Sequence, residues 1–493
     1  MNLQIRRLFF ALTGLFVALV GMSSYWLWRA PELEARRGNP NLVVRQLTIK
    51  RGLIYARDHR TVFAANRRKR VQGRTWYLRR YPTRRLVAQT VGYSTVQRSR
   101  AGLEKSLNDF LTGSNANLHT LLERTLSSLR GLTQQGNDVV TTIRPRAQRA
   151  AMDALEGKCG AVVALEPSSG RVLAMASRPS YDPNLVERHF ARAARAPGAP
   201  CRPAAPLLNR ATDGLFIPGS TFKVVTTAAA LDTGAYRPSS TFVDRGYCIE
   251  YGKKVLNFAD QGGPEVFGRV TFTEALEHSI NAVYCKIGKR LGPRTILDYA
   301  RRFGFYDDPP LETPPEERSP SGLYRHGHLF TPDDPNQVDP GRLAFGQERL
   351  LATPLQMAMV AAGVANGGVV MAPTVVERIV AADGTVVARE RPRVYRRAVS
   401  AHTAAELTAM MRKVVESGTG TAARIPGVPV AGKTGTAETG RSEQNDTWFI
   451  AFAPAGRPRV AVAVALQNQA GTGGATAAPI ARAVMQAIVG GNA

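Results

Sequence analysis

The protein has 493 residues, of which 44% are hydrophobic and 21% are charged. This length predicts about two to four domains, and the composition excludes both a disordered chain and a protein of many membrane helices. The 65 Lys and Arg residues exceed the 38 Asp and Glu residues, which gives a net charge of +27. Such basicity by itself would suggest nucleic acid or an anionic surface as a partner.

The basic excess is concentrated in one segment. Residues 29–105 contain 20 Lys and Arg against 4 Asp and Glu, so they carry +16 of the +27. The chain also contains 54 Arg but only 11 Lys. The charge therefore describes one basic module, and the scarcity of lysine makes each lysine more informative.

An uncharged run of 21 residues, 8–28, lies near the amino end. As a helix it would span ~31 Å, which matches a bilayer core of about 30 Å. The alternative is a cleaved signal peptide, whose apolar region is usually only ~7–15 residues long. The length favours an uncleaved anchor after a short cytoplasmic tail at 1–7. No second apolar run of ~18 residues follows, so the remaining chain is expected on one side of the membrane.

The four cysteines have no Cys-x-x-Cys spacing, which argues against a zinc site. They are Cys159, Cys201, Cys248 and Cys285. In a chain outside the cytoplasm an even number permits disulfides, and three pairings are possible. Buried free thiols are the alternative.

The predicted elements fall into two segments. Residues 29–140 form the basic module, of mixed α/β character, with a helix at 102–113. Residues 141–493 begin with a β-hairpin over 160–167 and 171–177, which meet at a Ser-Ser-Gly turn. Further helices are predicted over 220–232, 271–291, 353–366 and 477–489, and further strands over 428–437, 447–453 and 459–466. Residues 191–206 and 307–340 are predicted to be irregular. Strand hairpins at both ends, with helices between, indicate an α+β fold with an antiparallel sheet.

The first chemical motif is Ser-Thr-Phe-Lys, from Ser220 to Lys223. Residues three apart share a helix face, so Lys223 Nζ is expected to reach Ser220 Oγ. A serine becomes a nucleophile when a base takes its proton, and a lysine of lowered pKa can be that base, whereas arginine cannot. Free backbone N–H groups at the helix start can also bind an oxyanion. The alternative is a lysine that extends from a helix start into solvent.

The second motif is Ser279-Ile280-Asn281. Its hydroxyl and amide can relay a proton and hold a peptide group, although Ser-x-Asn most often forms a cap or a turn. The sequence has no G-x-S-x-G turn, no H-E-x-x-H motif and no His/Cys cluster with metal-ligand spacing. The candidate chemistry therefore depends on serine and lysine, and no metal or cofactor is expected.

The third motif, Lys-Thr-Gly-Thr at 433–436, permits two incompatible interpretations. Residues 427–434 fit the phosphate-loop pattern G-x-x-x-x-G-K-[ST], which needs a helix starting at the Lys-Thr pair. The intervening Val-Pro-Val-Ala prefers extended structure and no helical pattern follows, so a nucleotide-binding loop is rejected. An edge strand fits better, because its backbone can pair with an extended peptide while ammonium and hydroxyl groups bind the terminal carboxylate. Gly435 would leave room for the substrate.

Together, S-x-x-K, S-x-N and K-T-G in this order resemble the penicillin-recognising serine transferases. The chain resembles more specifically a class B penicillin-binding protein, a monofunctional peptidoglycan transpeptidase. The resemblance extends to RGLIY, GLEKSLNDFLTG, GAVVALEPSSGRVLAMASRPSYDPN, PLLNRATDGLFIPGSTFKVVT, LAFGQERLLATPLQMA and VAGKTGTAE with DTWFIAFAP. The blocks of the later segment are spread from residue 160 to residue 454, whereas the basic module is matched more thinly. The length and single anchor are similar to those of an actinobacterial, division-linked subgroup.

The resemblance implies a catalytic role for three side chains. Ser220 would be acylated by the penultimate D-alanine of a stem peptide, with Lys223 as the base. Ser279 would pass the proton to the leaving amine. The backbone N–H groups of Ser220 and Thr436 would form the oxyanion hole. A β-lactam would acylate the same serine and remain attached.

The resemblance also implies substrate-binding residues. Asn281 would hold the amide of the acyl chain, and Lys433, Thr434 and Thr436 would bind the terminal carboxylate beside Gly435. An amine from a neighbouring strand would then take the acyl group and cross-link the wall.

The implied architecture is a penicillin-binding transpeptidase fold, an antiparallel sheet flanked by helices, after an anchor at 8–28 and a pedestal- or dimerisation-like module at 29–140. It implies a plasma-membrane protein whose catalytic domain, 141–493, lies outside the cytoplasm. Stem peptides, β-lactams, membrane lipid and a polytopic peptidoglycan glycosyltransferase would be its partners, and nucleic acid would not. Anionic lipid heads, wall polymers or an acidic subunit are then the available counter-charges for the basic module. A membrane-anchored β-lactamase or β-lactam sensor with the same Ser-Lys site is the alternative.

Overall fold

The computed structural model describes residues 2–34, 47–71, 73–96, 99–114, 135–257, 265–441 and 444–490. The α-helices of these residues are α1 Asn2–Glu34, α2 Ala88–Val91, α3 Gly102–Ser106, α4 Asn108–Thr112, α5 Pro145–Ala154, α6 Phe190–Ala193, α7 Lys223–Asp232, α8 Phe272–Glu277, α9 Asn281–Arg302, α10 Pro340–Leu343, α11 Pro354–Ala365, α12 Ala401–Glu416, α13 Gly473–Thr476 and α14 Ala478–Val489.

The strands form several sheets, of which two organise the molecule. They are β1 Ile54–Tyr55, β2 Val62–Val71, β3 Arg74–Arg80, β4 Asp138–Thr141, β5 Gly160–Leu165, β6 Val172–Arg178, β7 Thr241–Asp244, β8 Tyr247–Glu250, β9 Lys253–Leu256, β10 Gly268–Thr271, β11 Gly322–Arg325, β12 His328–Leu329, β13 Leu350–Leu351, β14 Val369–Met371, β15 Val376–Val380, β16 Val386–Arg389, β17 Val394–Arg397, β18 Ala431–Arg441, β19 Gln444–Ala453 and β20 Val460–Gln469.

Helix α1 contains the apolar run predicted near the amino end. Its segment from Arg6 to Trp26 is 21 residues long, and none of its 18-residue hydrophobic window is buried against the rest of the protein. Large side chains such as Phe16 are about two thirds exposed. The helix is therefore long and apolar enough to cross a membrane.

The basic module is built on a six-stranded sheet in the order β16-β15-β4-β1-β2-β3. Strand β1 runs parallel to β4, and the other pairs are antiparallel. Two of the six strands, β15 and β16, come from far along the chain, so the module and the later segment share one sheet. The long β2–β3 hairpin forms its opposite edge.

A buried ion-pair network supports this hairpin at its base. The Glu104 carboxylate, 0% exposed, accepts from Arg51 Nη2 at 2.9 Å and from Arg79 Nε at 2.5 Å. Burial raises the pKa of Glu104, but the two guanidinium groups outweigh it and hold the pKa below its usual value. The prediction of a single helix over 102–113 is wrong in detail. The helix is interrupted at Leu107, which separates α3 from α4.

The second large sheet is antiparallel, in the order β18-β19-β20-β5-β6. The predicted hairpin of β5 and β6 is confirmed, and the predicted carboxyl-terminal strands pair beside it. Because side chains alternate between faces, Val162 and Val464 pack toward α5 and α14, whereas Val163 and Ala463 pack toward the main core with α11. The sheet is thus covered by helices on both faces, as an α+β fold requires.

Two predicted helices differ from the structure at the residues that matter most. The helix expected over 220–232 begins as a 3-10 turn, Gly219–Phe222, and becomes α7 only at Lys223. The helix expected over 271–291 is broken into α8 and α9, and Ser279 lies in the break with φ +60°. The break frees the carbonyl oxygen of Ser279, which accepts a hydrogen bond from Lys223 Nζ at 2.6 Å.

The cysteines form two disulfides, Cys159–Cys201 and Cys248–Cys285. This selects one of the three possible pairings. The second bond joins β8 to α9 at a position one helical turn after Asn281. It therefore fixes the β8–β9 hairpin against the helix that begins at the second motif.

Candidate active site

The three motifs meet in one cleft of about 920 Å³. The 3-10 turn Gly219–Phe222, residues 278–281 and edge strand β18 form its sides, and residues 254–257 and 345–349 form its rim. Serine, asparagine and threonine side chains from all three motifs therefore line the same space.

Ser220 is held on a tightly bonded turn. Gly219 N–H donates to the carbonyl oxygen of Gly346 at 3.1 Å, and Thr221 Oγ1 donates to that of Pro218 at 2.7 Å. Gly219 has φ +50°, a conformation that glycine adopts without steric cost. A side chain there would also come within 3.2 Å of the Thr436 carbonyl oxygen, so the turn lies directly beside the edge strand.

Lys223 occupies the centre of the site and is 0% exposed. Its Nζ donates to Ser279 O at 2.6 Å, Ser279 Oγ at 3.1 Å and Asn281 Oδ1 at 2.7 Å. The predicted direct hydrogen bond to Ser220 is wrong, since none joins the two side chains among the described residues. The three acceptors of the second motif satisfy the amine instead.

Two features of its environment lower the pKa of Lys223. Burial lowers its pKa well below the usual value, and the nearby charge of Lys433 lowers it further. The ring of Tyr284 lies 5.1 Å from Nζ, a cation–π contact that acts in the opposite direction by stabilising the charged form. In the neutral form the nitrogen lone pair can accept a proton, and Ser279 Oγ lies within hydrogen-bond distance to exchange it.

Lys433 lies on β18 below the surface of the cleft. It is 0% exposed, and its Nζ donates to the carbonyl oxygen of Thr434 at 3.1 Å. Burial lowers the pKa of Lys433 to about 7. The cleft wall itself is formed by the neighbouring Thr434 and Thr436. Their hydroxyl groups are ordered by Thr419 Oγ1 at 2.7 Å and by Gly473 N–H at 3.1 Å.

The edge strand predicted for the third motif is confirmed. Strand β18 pairs on one side only, with β19, and it runs through Lys433 without the helix that a phosphate loop needs. A Cβ atom at Gly435 would lie 3.0 Å from Pro218 O, Thr221 Cγ2 and Trp448 Cβ. Because Gly435 has no side chain, the Ser220 turn can pack directly against the strand.

Asn281 links Lys223 to the rim of the cleft. While its Oδ1 accepts from Lys223, its Nδ2 donates to Leu256 O at 3.2 Å, at the end of β9. Ala282 N–H donates to Asn257 Oδ1 at 2.9 Å beside it. The β8–β9 hairpin therefore orients the amide of the second motif.

Several residues that line the cleft were not predicted from the sequence. Thr419 lies in a Gly-Thr-rich turn that carried no recognisable motif. Glu348 and Arg349 line the rim with φ +62° and +61°, a conformation uncommon outside glycine. Both residues lie in the LAFGQERLLATPLQMA block of the family resemblance, but only the structure shows that they line the cleft.

Possible metal ligands are limited. Of the residues that the structure describes, only Cys248, Glu250 and Cys285 group closely enough to share an ion, and both sulfurs belong to one disulfide. A disulfide sulfur is not a thiolate ligand.

A serine on a rigid turn, a buried lysine of lowered pKa and an unpaired strand edge are the parts that a Ser-Lys acyltransferase requires. Residues 160–486 match the penicillin-binding protein transpeptidase domain, and residues 51–139 match the penicillin-binding protein A dimerisation domain. The chain therefore belongs to the penicillin-binding protein transpeptidase family, which confirms the predicted resemblance.

Relatives of similar length include the peptidoglycan D,D-transpeptidase PbpA of Mycolicibacterium smegmatis. It is 37% identical, and the match covers 99% of each chain. A ceftriaxone acyl-enzyme structure of penicillin-binding protein A from Mycobacterium tuberculosis superposes with a TM-score of 0.79 at 34% identity, over 91% of this chain and 100% of that one. Penicillin-binding protein 3 of the same species, in complex with aztreonam, superposes with a TM-score of 0.72 at 27% identity, over 89% and 95%.

Proposed function

We propose that this protein is a peptidoglycan D,D-transpeptidase that cross-links stem peptides through an acyl-enzyme on Ser220. The observation that supports this most directly is the buried Lys223 amine, bonded to Ser279 and Asn281 in the cleft that contains Ser220. The family membership and the mycobacterial relatives named for this activity support the same conclusion.

In the acylation step, Ser220 Oγ attacks the carbonyl carbon of the penultimate D-alanine. Its proton passes to neutral Lys223, and the backbone N–H groups of Ser220 and Thr436 stabilise the oxyanion. The C–N bond then breaks, and the leaving amine of the terminal D-alanine takes its proton from Lys223 through Ser279. An ester on Ser220 remains.

In the transfer step, the amine of a second stem peptide attacks this ester. A new amide bond forms, the attacking amine loses a proton, and Ser220 recovers its hydroxyl proton through Lys223. A β-lactam follows only the first step, because its leaving amine stays tethered to the acyl group and blocks the second amine.

Substrate binding uses the strand edge and the second motif. The backbone of β18 pairs with the extended donor peptide, as exposed edges do with added strands. Asn281 holds the acyl amide. The terminal carboxylate is bound by Thr434 and Thr436, with the charge of Lys433 beneath them and Gly435 between them.

Labelling with a fluorescent penicillin tests the nucleophile. The purified full chain should bind one equivalent covalently, with the adduct on Ser220 by peptide mass spectrometry. Ser220→Ala should abolish labelling, whereas Ser239→Ala, a matched change at an exposed serine, should not alter it. Labelling that survives in Ser220→Ala would refute the assignment.

A second measurement separates the transpeptidase from its alternative. Lys223→Arg keeps a long nitrogen donor at this position but removes the base, because arginine stays protonated, and we expect at least ~100-fold slower acylation. Release of penicillin faster than about once per minute would favour a β-lactamase. Release of D-alanine from a synthetic stem peptide, coupled to an added acceptor amine, would support the transpeptidase.

We also propose that α1 anchors the chain once in the plasma membrane, with residues 1–7 in the cytoplasm, 8–28 in the bilayer and 29–493 outside. Two disulfides and a wall substrate both suit an oxidising compartment. Residues 29–140 would be a pedestal for the transpeptidase domain, 141–493, and a docking site for a polytopic peptidoglycan glycosyltransferase. A carboxyl-terminal alkaline phosphatase fusion should be active, and co-purification from detergent should recover the glycosyltransferase.

A further inference from the structure

The β2–β3 hairpin carries an unusual charge that the active site does not use. Residues 62–80 contain seven Lys and Arg and no Asp or Glu. Six of the seven are exposed: Arg67, Arg68, Lys69, Arg70, Arg74 and Arg80. Across the described part of the chain, no carboxylate forms an ion pair with any of these six.

The seventh cation, Arg79, fixes the base of the hairpin to the rest of the module. Arg79 is buried on Glu104, and its Nη1 also donates to Gly52 O at 2.8 Å. Asn66 Nδ2 donates to Arg51 O at 2.6 Å, in the segment just before β1. The base is therefore ordered by polar contacts. Five of the six exposed cations, Arg67 to Arg70 and Arg74, lie in the half of the hairpin nearer its turn, which we call the tip.

The arrangement of the tip suits a flat, diffuse anionic surface. Alternate residues of a strand face opposite sides, so residues 67 and 69 point one way and residues 68 and 70 the other. Opposite them in register lie Trp76, beside Lys69, and Tyr77, beside Arg68. A binding groove for one peptide or polymer would place its cations on one face. Cations on both faces of a tip, with an aromatic residue paired opposite a cation on each face, match the chemistry of a lipid headgroup layer.

The same chain brings a membrane surface close to the hairpin in sequence, through α1. Helix α1 is long and apolar enough to cross a membrane, and 27 residues separate its last residue, Glu34, from Val62. Contact between the tip and the bilayer is then intramolecular, so weak individual charge contacts act at a high effective concentration. We propose that the tip of the β2–β3 hairpin binds anionic phospholipid headgroups of the membrane that holds α1; this depends on the proposed anchoring.

The test uses the full chain in lipid nanodiscs. Hydrogen exchange of residues 62–80 is compared between discs of phosphatidylcholine alone and discs with ~30% phosphatidylglycerol. We expect at least about fivefold slower exchange with the anionic lipid, reversed in 0.5 M salt because screening then acts within ~4 Å. The variant R67Q/R68Q/K69Q/R70Q should lose this protection.

A matched variant controls for total charge. R389Q/R391Q/R393Q/R397Q removes four exposed arginines over residues 389–397, from the end of β16 at the opposite edge of the same sheet to the end of β17, and should keep the protection. Both variants should be acylated by penicillin at the wild-type rate, which verifies their folding and distinguishes failure of this proposal from failure of the proposed activity.

Three outcomes would overturn the proposal. Equal exchange in both kinds of disc would exclude the lipid. Protection by soluble polyphosphate in phosphatidylcholine discs that matches the protection by phosphatidylglycerol would assign the tip to an anionic polymer. Protection that rises with the number of protein copies per disc would assign it to a second copy of the chain.

Discussion

Trp448 Nε1 donates a hydrogen bond of 2.9 Å to the carbonyl oxygen of Ile217. Trp448 is fully buried on β19, where it pairs in register with Gly435 of the edge strand. Its ring also meets Phe216 edge to face at 5.7 Å. One side chain therefore sets the separation between the strand edge and the turn that carries Ser220.

This close packing predicts a large effect of Gly435→Ala. The added methyl group would press on Pro218 O and Thr221 Cγ2 at 3.0 Å, so the Ser220 turn must shift away from the strand. Overpacking of this kind costs about 1–3 kcal/mol, which corresponds to ~5- to 150-fold slower acylation by penicillin if it acts on the transition state. Stopped-flow measurement of the second-order acylation constant checks this.

Gly456→Ala is the matched control, because nothing lies within 4 Å of a Cβ atom there. Its acylation constant should equal that of the wild type. An unchanged constant in Gly435→Ala would mean that the turn and the strand move independently.

The acylation rate should depend on pH through both buried lysines. Lys223 must be neutral to accept a proton, so its lowered pKa produces an acid limb on which the rate rises with pH. Lys433 must be charged to attract a carboxylate, and its pKa of about 7 produces an alkaline limb on which the rate falls above that pH. Acylation constants measured between pH 5 and 10 should therefore follow a bell-shaped curve.

Lys433→Arg separates the two limbs. A guanidinium group stays charged, so the alkaline limb should disappear while the acid limb persists. A fall in rate above pH 7 that survives in this variant would assign the alkaline limb to another group.

The two disulfides should differ in their effect on catalysis. Each disulfide closes a loop and so restricts the unfolded chain. For separations of 42 and 37 residues, removal of either bond is expected to cost about 4 kcal/mol of stability. Only Cys248–Cys285 supports the hairpin that orients Asn281. We therefore expect Cys248→Ser/Cys285→Ser to slow penicillin acylation at a temperature where both variants remain folded.

Cys159→Ser/Cys201→Ser is the control for that experiment, since this pair contacts none of the three motifs. Thermal unfolding should show similar losses for the two double variants, while the acylation constants diverge. Equal acylation constants in the two double variants would show that the β8–β9 hairpin does not position Asn281.

Glu104→Gln should destabilise the basic module strongly. It leaves Arg51 and Arg79 without their buried counter-charge, which typically costs about 3–5 kcal/mol. Because the folded-state pKa of Glu104 lies below its usual value of 4.5, the stabilisation is complete above pH 4.5 and is lost as the pH falls through the folded-state pKa. Thermal melts of the wild type and the variant should therefore converge in acid.

Glu316→Gln provides the exposed comparison. Its partner Lys105 and the carboxylate are each about half exposed, so the change should cost less than about 1 kcal/mol. A comparable loss in both variants would show that burial is not the source of the Glu104 effect.

Much of the second large sheet could be predicted from alternating and apolar runs in the sequence. The β5–β6 hairpin, strands β18 to β20 and helix α11 all lie within a few residues of their predicted positions. Those runs are long and bounded by glycine or proline, so local preference and burial agree. The breaks at Leu107 and Ser279 were not predicted. At the second break, the carbonyl oxygen of Ser279 bonds to Lys223, 56 positions earlier in the chain, and no local pattern reports that contact.

Sequence alone determined which residue types meet: a serine, a scarce lysine, and the Ser-x-Asn and Lys-Thr-Gly motifs whose order indicated the family. It also placed an apolar helix at the amino end and an excess of positive charge after it. Tertiary structure decided that Lys223 binds Ser279 and Asn281 rather than Ser220, and that Gly435 accommodates the nucleophile turn. It also decided which cysteines pair. Spacing reports only neighbours along the chain, whereas these contacts join residues more than 35 positions apart, and packing alone brings them within bonding distance.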